Sequence, residues 1–380
     1  MVNIHPLFNN ITIIIFIYYL KSRNNMKKKE LIEKIKELYP YYKNLQKMSI
    51  AELQEIYDKD CSNFLLKNHY NSCYMDSLFI ALFHDKNKYI FNLFFKSQLK
   101  DFNDIKLNKL ASEIRDELLN IYTRIFTDKN KESMVCKNLR KLFHKFSKLY
   151  NINNDLKWRT DQLEPMDVIN ILSNIFIFKK NTKINVKRYA TNKKTKTINY
   201  KSIKLLSDKN TLKDFSSIIS INNLLSSDKV EIKKLFPKTI EDTIFDKDNL
   251  WKPHSTSSKK DDTYLRKIEK ITYLSSKFLF IHVNRSLKTG EGIYEKIKTP
   301  IIPSLKIKLK ENDFNLYLKS IIIHHGEFGG GHYTTLFNCK GVWYEYDDLR
   351  SKIKLVGTFE DLCKYKDGYN LENCTNILYY

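Results

Sequence analysis

Glycine and proline are scarce, at 9 and 7 of 380 residues, which excludes collagen-like repeats and argues against long flexible linkers. No internal repeat is present. The six cysteines (Cys61, Cys73, Cys136, Cys339, Cys363 and Cys374) include no C-x-x-C pair. The usual zinc spacing is therefore missing, and neither a metal nor any other cofactor is expected. Six cysteines are also too few for a disulfide scaffold, so an intracellular, reducing location, cytoplasmic or nuclear, is the expectation. Long apolar runs are lacking too. Ile11 to Leu20 (ITIIIFIYYL) falls well short of the roughly 20 residues a membrane span needs. The basic residues Lys21 and Arg23 follow that run instead of preceding it, which is wrong for a signal peptide. Residues 1–25 therefore read as a disordered or spurious extension before Met26, with membrane association through residues 11–20 as the second reading.

Acidic residues are outnumbered, and the formal net charge is +23. A nucleic-acid partner is one reading of that excess. The basic residues are scattered, however, and no binding motif accompanies them. Compositional drift toward Lys, Asn, Ile, Tyr and Phe is the preferred reading, and no nucleic-acid partner is expected. The 42% hydrophobic share is ample for a buried core.

Leu31, Ile32, Ile35 and Leu38 follow helical spacing up to Pro40, and Ser49-x-x-Glu52 forms a capping box. Residues 26–60 are thus predicted to be a helical hairpin, followed by one domain over 61–380. Further helices are predicted near 73–84, 101–127, 131–150 and 165–177. Residues 178–260 are Lys, Asn, Ser and Thr rich with weak periodicity, and are expected to hold extensions and mobile loops. Lys277 to Val283 and Ser320 to His325 are continuous apolar runs of β-formers, as in buried strands. Helices first and strands later predict an α+β fold.

Two segments carry chemistry. In the first, Asn71 and Ser72 are good N-cap residues before Met75, Leu78, Phe79 and Leu82, which follow helical spacing. Cys73 then starts a helix, where amide dipoles are expected to lower its thiol pKa and favour the attacking thiolate. A buried structural cysteine is the plainer alternative. In the second, Tyr333 to Phe337 and Val342 to Tyr346 form a hairpin around Asn338-Cys339-Lys340-Gly341. A two-residue loop pairing Asn338 with Gly341 sets His332 opposite Asp347. A type I turn with Gly341 as a left-handed bulge sets Asp348 there instead. In either register a carboxylate faces His332 across about 5 Å, close enough to fix the tautomer of a general base. The glycines before His332 would let another backbone approach closely. An early Cys and a late His follow the order of papain-like proteases.

Leu65 to Ser77 (LLKNHYNSCYMDS) resembles the Cys box of the ubiquitin-specific proteases, roughly G-L-x-N-x-G-N-T-C-Y-M-N-S. Gly326 to Tyr333, with Trp343 to Asp348 (WYEYDD), is similar to the family's His box. Gln162 to Ile169 resembles its Q-x-D-A-x-E-F-L box with the two acids interchanged, and Phe278 to Arg285 resembles its L-x-x-x-L-x-R-F strand. Both glycines of the Cys box are replaced here, by Leu65 and Tyr70, and Tyr70 is expected to alter the loop's shape.

The resemblance covers roughly residues 61–380. It implies a papain-like fold with an N-terminal helical lobe and a C-terminal antiparallel β lobe. It also implies a deubiquitinating thiol hydrolase acting on peptide or isopeptide bonds after ubiquitin's C-terminal glycine. Cys73 is then the nucleophile, His332 the base, Asp347 its orienting partner and Asn68 the oxyanion donor, with Asp348 auxiliary. Glu164 and Asp167 would hold ubiquitin's basic tail, and Gly330, Gly331 and Tyr333 would line the channel for its Gly-Gly end. Ubiquitin or ubiquitinated proteins are the partners implied. The alternatives are a protease for a ubiquitin-like modifier and a catalytically inactive ubiquitin-binding module. His324 and His325 match no family role and read as structural.

Overall fold

The computed structural model describes residues 27–38, 45–53, 66–85, 88–127, 136–152, 158, 161–178, 182–192, 204–213, 219–221, 229–235, 240–244, 264–290, 293–327, 330–350, 352–364 and 375–380. The extension over 1–25 with its apolar run, Pro40 and Leu65 lie outside these residues. Among the described residues no helix is long and apolar enough to cross a membrane. The chain divides into two units, residues 1–60 and 61–380.

In the first unit, α1 (Lys28–Leu38) buries Leu31. The predicted capping box forms: the Ser49 N–H donates to Glu52 Oε2 at 2.7 Å, and the Glu52 N–H donates to Ser49 Oγ at 3.2 Å. Leu45 and Leu53 are buried nearby, and Lys28 Nζ donates to the Gln46 carbonyl at 3.0 Å.

The second unit opens with α2 (Cys73–Phe83), α3 (Lys88–Phe95), α4 (Ile105–Thr127), α5 (Lys137–Tyr150) and α6 (Pro165–Ile175). The strands of its two larger sheets are β1 (Thr182–Asn192), β2 (Lys204–Lys213), β3 (Ile219–Ile221), β4 (Ile240–Ile244), β5 (Tyr264–Ser276), β6 (Phe280–Val283), β7 (Ser320–His325), β8 (His332–Cys339), β9 (Val342–Tyr346), β10 (Lys354–Gly357) and β11 (Thr375–Tyr379). A seven-stranded sheet runs β10-β9-β8-β7-β11-β6-β3, antiparallel except for the parallel β6–β3 pair. The expected order of helices first and sheet later is met.

Residues 178–260 depart from expectation. They supply β1, β2 and β4, which join β5 in a four-stranded antiparallel sheet, β2-β1-β5-β4. Strands this polar show little hydrophobic alternation, which is why the segment reads as extensions and mobile loops in sequence. Cys339 is disulfide-bonded.

Helix α2 is the centre of the fold, and all eleven of its residues are buried. A helix buried on every side is held between layers rather than on a surface. One side meets the other helices. Leu107, Ala111, Ile114, Leu118, Ile121 and Ile125 form the buried stripe of α4 at spacings of four and three. The opposite side meets the sheet, where Thr335 Oγ1 donates to the Ser77 carbonyl at 2.8 Å and Ser320 Oγ to the Ala81 carbonyl at 3.2 Å. Alternation in β7 sends Ile322 toward this core, and Ile321 and Ile323 into a second core behind the sheet. Both faces of the sheet are therefore covered. Phe79 is fully buried and stacks on Phe83 at 5.7 Å. Phe79→Ala is expected to cost about 3–5 kcal/mol, read from the midpoint of urea unfolding.

Candidate active site

The backbone entering α2 is unusual. Tyr70 and Asn71 both take positive φ, 48° and 60°. Tyr70 thus holds the left-handed conformation that a glycine adopts without cost, and its side chain is 73% exposed. Ser72 is the N-cap residue, as expected, but its hydroxyl does not cap a helix amide. It accepts the His69 N–H at 2.8 Å and donates to Asp76 Oδ2 at 2.5 Å.

Cys73 follows, 3% exposed. Its sulfur is met by the Tyr333 backbone N–H, and Gln162 Nε2 lies 3.9 Å away. The expected lowering of the thiol pKa is not found. Burial pushes it up to about 12; the Tyr333 amide pulls against this, while the Asp348 and Asp76 charges reinforce it. A position at a helix start does not offset removing a sulfur from water beside two carboxylates. Burial thus favours the neutral thiol of Cys73.

His332 begins β8, and its Nε2 lies 2.8 Å from Asp347 Oδ1 and 3.6 Å from Asp348 Oδ1. A carboxylate only accepts, so Nε2 carries the proton and Nδ1 keeps its lone pair. The contact arises from neither predicted register. The β8–β9 ladder pairs Cys339 with Val342 and ends at Thr335 with Tyr346. The loop is Lys340-Gly341, with φ 60° and 87°. Two left-handed residues suit the twist of a tight hairpin, but Lys is a poor guide to such a turn. Neither Asp347 nor Asp348 lies opposite His332, whose partner across the ladder is His325 on β7. Asp347 leaves the end of β9 and reaches His332 diagonally, as same-side neighbours two residues apart can.

Asp347 is held from several sides. Its Oδ1 also accepts the Leu349 N–H at 3.0 Å, and Arg350 Nε lies 3.1 Å from Oδ2. Burial works to raise its pKa, but the hydrogen bonds from His332 and Leu349 and the charges of His332 and Arg350 outweigh it and hold it low. For His332, burial disfavours the charged ring, yet the bond to Asp347 and the charges of Asp348 and Asp347 prevail, and its pKa is raised.

Asp348 Oδ2 accepts from Asn68 Nδ2 at 2.8 Å, and the Asn68 N–H donates to the Asp348 carbonyl at 3.3 Å. The nucleophile's loop is thereby tied to the turn after β9. Asp348 and the fully buried Asp76 hydrogen-bond to one another, and desolvation raises the pKa of both. Sequence reasoning gave Asp76, which stands where the resembling pattern has Asn, no part in the site. Among the described residues, His332, Asp347 and Asp348 bring ligand atoms within 4.8 Å of one another, a spacing a cation fits. Those carboxylates already take hydrogen bonds from His332, Leu349 and Asn68.

A cleft of about 340 Å³ opens beside these groups. Glu164, Asp167, Gly330 and Tyr333 line it, with His282, Arg285 and Lys296. Glu164 and Asp167 form a reciprocal capping box at the start of α6, the Glu164 N–H donating to Asp167 Oδ2 at 3.0 Å. Burial raises both carboxyls, and Asp167 raises Glu164 further.

Gly331 is not part of the lining, although its carbonyl accepts from Gln162 Nε2 at 2.7 Å. Gln162 thereby touches both the nucleophile and the His332 strand; the sequence had supplied it as a motif letter without a role. His324 packs its ring on Tyr333 at 4.5 Å, and His325 Nε2 lies 2.8 Å from Thr334 Oγ1, in keeping with structural roles.

The two glycines before His332 differ. A Cβ on Gly331 would lie 1.9 Å from the His325 carbonyl oxygen, whereas one on Gly330 meets nothing within 4 Å. Gly331→Ala is expected to lower the melting temperature by several degrees and Gly330→Ala to leave it unchanged, as differential scanning calorimetry would read.

Three comparisons bear on the site. The family model for ubiquitin carboxyl-terminal hydrolase matches residues 65–369. A search of curated proteins found no match. Among solved structures, the chain is similar to one described as the SAGA DUB module of Ubp8, Sgf11, Sus1 and Sgf73 bound to monoubiquitin. The TM-score is 0.51 at 14% identity, over 85% of this chain and 69% of that one. At that identity the likeness speaks for the fold, papain-like with helical and antiparallel β lobes.

Proposed function

The chain belongs to the ubiquitin carboxyl-terminal hydrolase family and is a cysteine-type deubiquitinase, and from that premise we propose that Cys73, His332 and Asp347 form its catalytic triad. The observation that carries the proposal is a chain of contacts. Asp347 bonds His332 Nε2, and the N–H of the next residue, Tyr333, meets the Cys73 sulfur. His332 and the residue whose N–H meets the sulfur are thus neighbours on β8.

The reaction begins with a protonated thiol. His332 Nδ1 takes its proton as the sulfur attacks the carbonyl after ubiquitin's C-terminal glycine. The negative charge passes to the carbonyl oxygen, where the Cys73 N–H and the second N–H of the Asn68 amide serve as donors. The first N–H of that amide is held by Asp348, which fixes its direction. His332 then gives its proton to the leaving amine. Water, deprotonated by the same imidazole, cleaves the thioester and restores the thiol. Asp347 keeps the ring oriented and stabilises its charged form.

Ubiquitin's basic tail enters along the 340 Å³ cleft, with Glu164 and Asp167 as acceptors and Gly330 and Tyr333 as walls. The neighbour bound to monoubiquitin supports ubiquitin as the partner. The buried, raised thiol favours a second reading, ubiquitin binding without turnover.

Ubiquitin bearing a C-terminal electrophile separates the two. The triad requires a covalent adduct that is lost in Cys73→Ala and at least about 10²-fold slower in His332→Ala. Binding with no adduct under reducing conditions favours the inactive module. The same electrophile on a ubiquitin-like modifier tests for that substrate.

The pH profile is a further check. The base works when neutral, and Asp347 and Asp348 raise His332 above its ordinary value of 6.5. kcat/KM is therefore expected to fall as pH drops, with its half-point above 6.5. Asp347→Asn is expected to move that half-point down and to cost about 10²–10⁴-fold in kcat.

A further inference from the structure

Arg140 is a buried cation outside the triad, 1% exposed near the start of α5. Its guanidinium donates to four backbone carbonyls. Nε reaches Trp158 O at 2.6 Å, one terminal nitrogen reaches His69 O at 2.7 Å and Tyr70 O at 2.5 Å, and the other reaches Asp161 O at 3.2 Å. The charge also lies 5.9 Å from the centre of the Tyr74 ring. Burying a guanidinium is costly, and an apolar side chain of similar volume fills a core as well. What an apolar residue cannot do is gather carbonyls from two separate segments. Only the planar fork of an arginine, with five donors, makes this set of bonds.

Those two segments flank the chemistry. His69 and Tyr70 lead into Cys73, and Asp161 precedes Gln162, whose amide touches the Cys73 sulfur. Tyr70 is held left-handed at φ 48°, which costs a residue with a side chain, and Asn71 follows at 60°. The Tyr70 side chain is largely in water and adds little packing to offset that cost. The Arg140 bonds to the His69 and Tyr70 carbonyls lie at the strained position itself.

We propose that Arg140 is a positioning residue for the deubiquitinase reaction: it clamps Tyr70 in a left-handed conformation, and so fixes the Asn68 amide and Cys73 N–H that receive the oxyanion. The inference rests on the catalytic reading above. Arg140 touches no substrate and acts through the loop. Its loss therefore moves kcat more than KM.

The test uses the full chain and ubiquitin carrying a C-terminal fluorogenic amide, with competent sites counted by the ubiquitin electrophile. Arg140→Lys is expected to lower kcat about tenfold or more, with KM changed less than about threefold, because small misplacements of reacting groups are expensive. Adding Tyr70→Gly to that variant is expected to recover at least about threefold of kcat, since glycine needs no clamp to take positive φ. Tyr70→Val leaves Arg140 intact on an exposed position and carries the test if Arg140→Lys does not fold. A β-branched residue resists the left-handed region, and kcat is expected to fall about tenfold in a chain that still unfolds cooperatively.

An active wild type whose Arg140→Lys and Tyr70→Val variants keep kcat within about twofold, well inside the cost of misplacement, overturns the inference alone. A folded Arg140→Lys chain that loses kcat without rescue by Tyr70→Gly overturns it as well. A wild type that never turns over the substrate overturns the catalytic reading and this inference with it.

Discussion

The hydrogen bond from His332 Nε2 to Asp347 is the contact on which the proposed triad depends. It decides which ring nitrogen is left to accept a proton. Much of the neighbouring structure serves to hold its two ends. Arg350 and the Leu349 amide fix the carboxylate, and Arg350 is itself paired with the buried Glu345 at 3.2 Å. The imidazole end is set by β8, whose Thr335 also hydrogen-bonds to the buried helix α2 that begins with the nucleophile. Hence the sheet carries His332, the central helix carries Cys73, and a side-chain bond between sheet and helix keeps the two in register.

Around this contact the protein buries several ionisable groups that a core chosen for stability alone would leave out. Asp76 and Asp348 lie against one another near His332, and Arg140 holds four carbonyls behind the loop that leads to Cys73. Desolvation of such groups is repaid only when each is well bonded. The bonds run between segments distant in sequence: Asn68 to Asp348, and Arg140 to Tyr70 and Asp161. Polar groups thus specify how the loops converge, while the apolar residues of α2, α4 and β7 supply the cohesion.

Much of this was legible from residue patterns, and the exceptions have physical causes. Cys73 and His332 stood out because they sit in short motifs beside recognisable helix and strand signals, whereas the choice of Asp347 over Asp348 came only from the family resemblance. The helical spacing of α2 and α4 and the apolar runs of β6 and β7 marked the two layers. The hairpin register was misjudged because Lys340 adopts a conformation more typical of Asn or Gly. The thiol's direction of shift was missed because helix position can be read from sequence whereas burial beside Asp76 and Asp348 cannot. The sheet of β1, β2, β4 and β5 hid in a polar stretch, where long strands pair with one another at little cost to composition. Arg140 gave no signal, as one basic residue among many on an amphipathic helix. Its role appears only when the carbonyls of distant loops are brought to it.

The tautomer and basicity of His332 test the central contact most directly. Nitrogen-15 NMR of the histidine side chains, titrated between pH 5 and 9 and assigned with His332→Gln, reads both. The Asp347 bond requires a neutral ring protonated at Nε2, with a midpoint above 6.5 that falls when Asp347 is changed to Asn. A ring protonated at Nδ1, or a midpoint indifferent to Asp347, would contradict it.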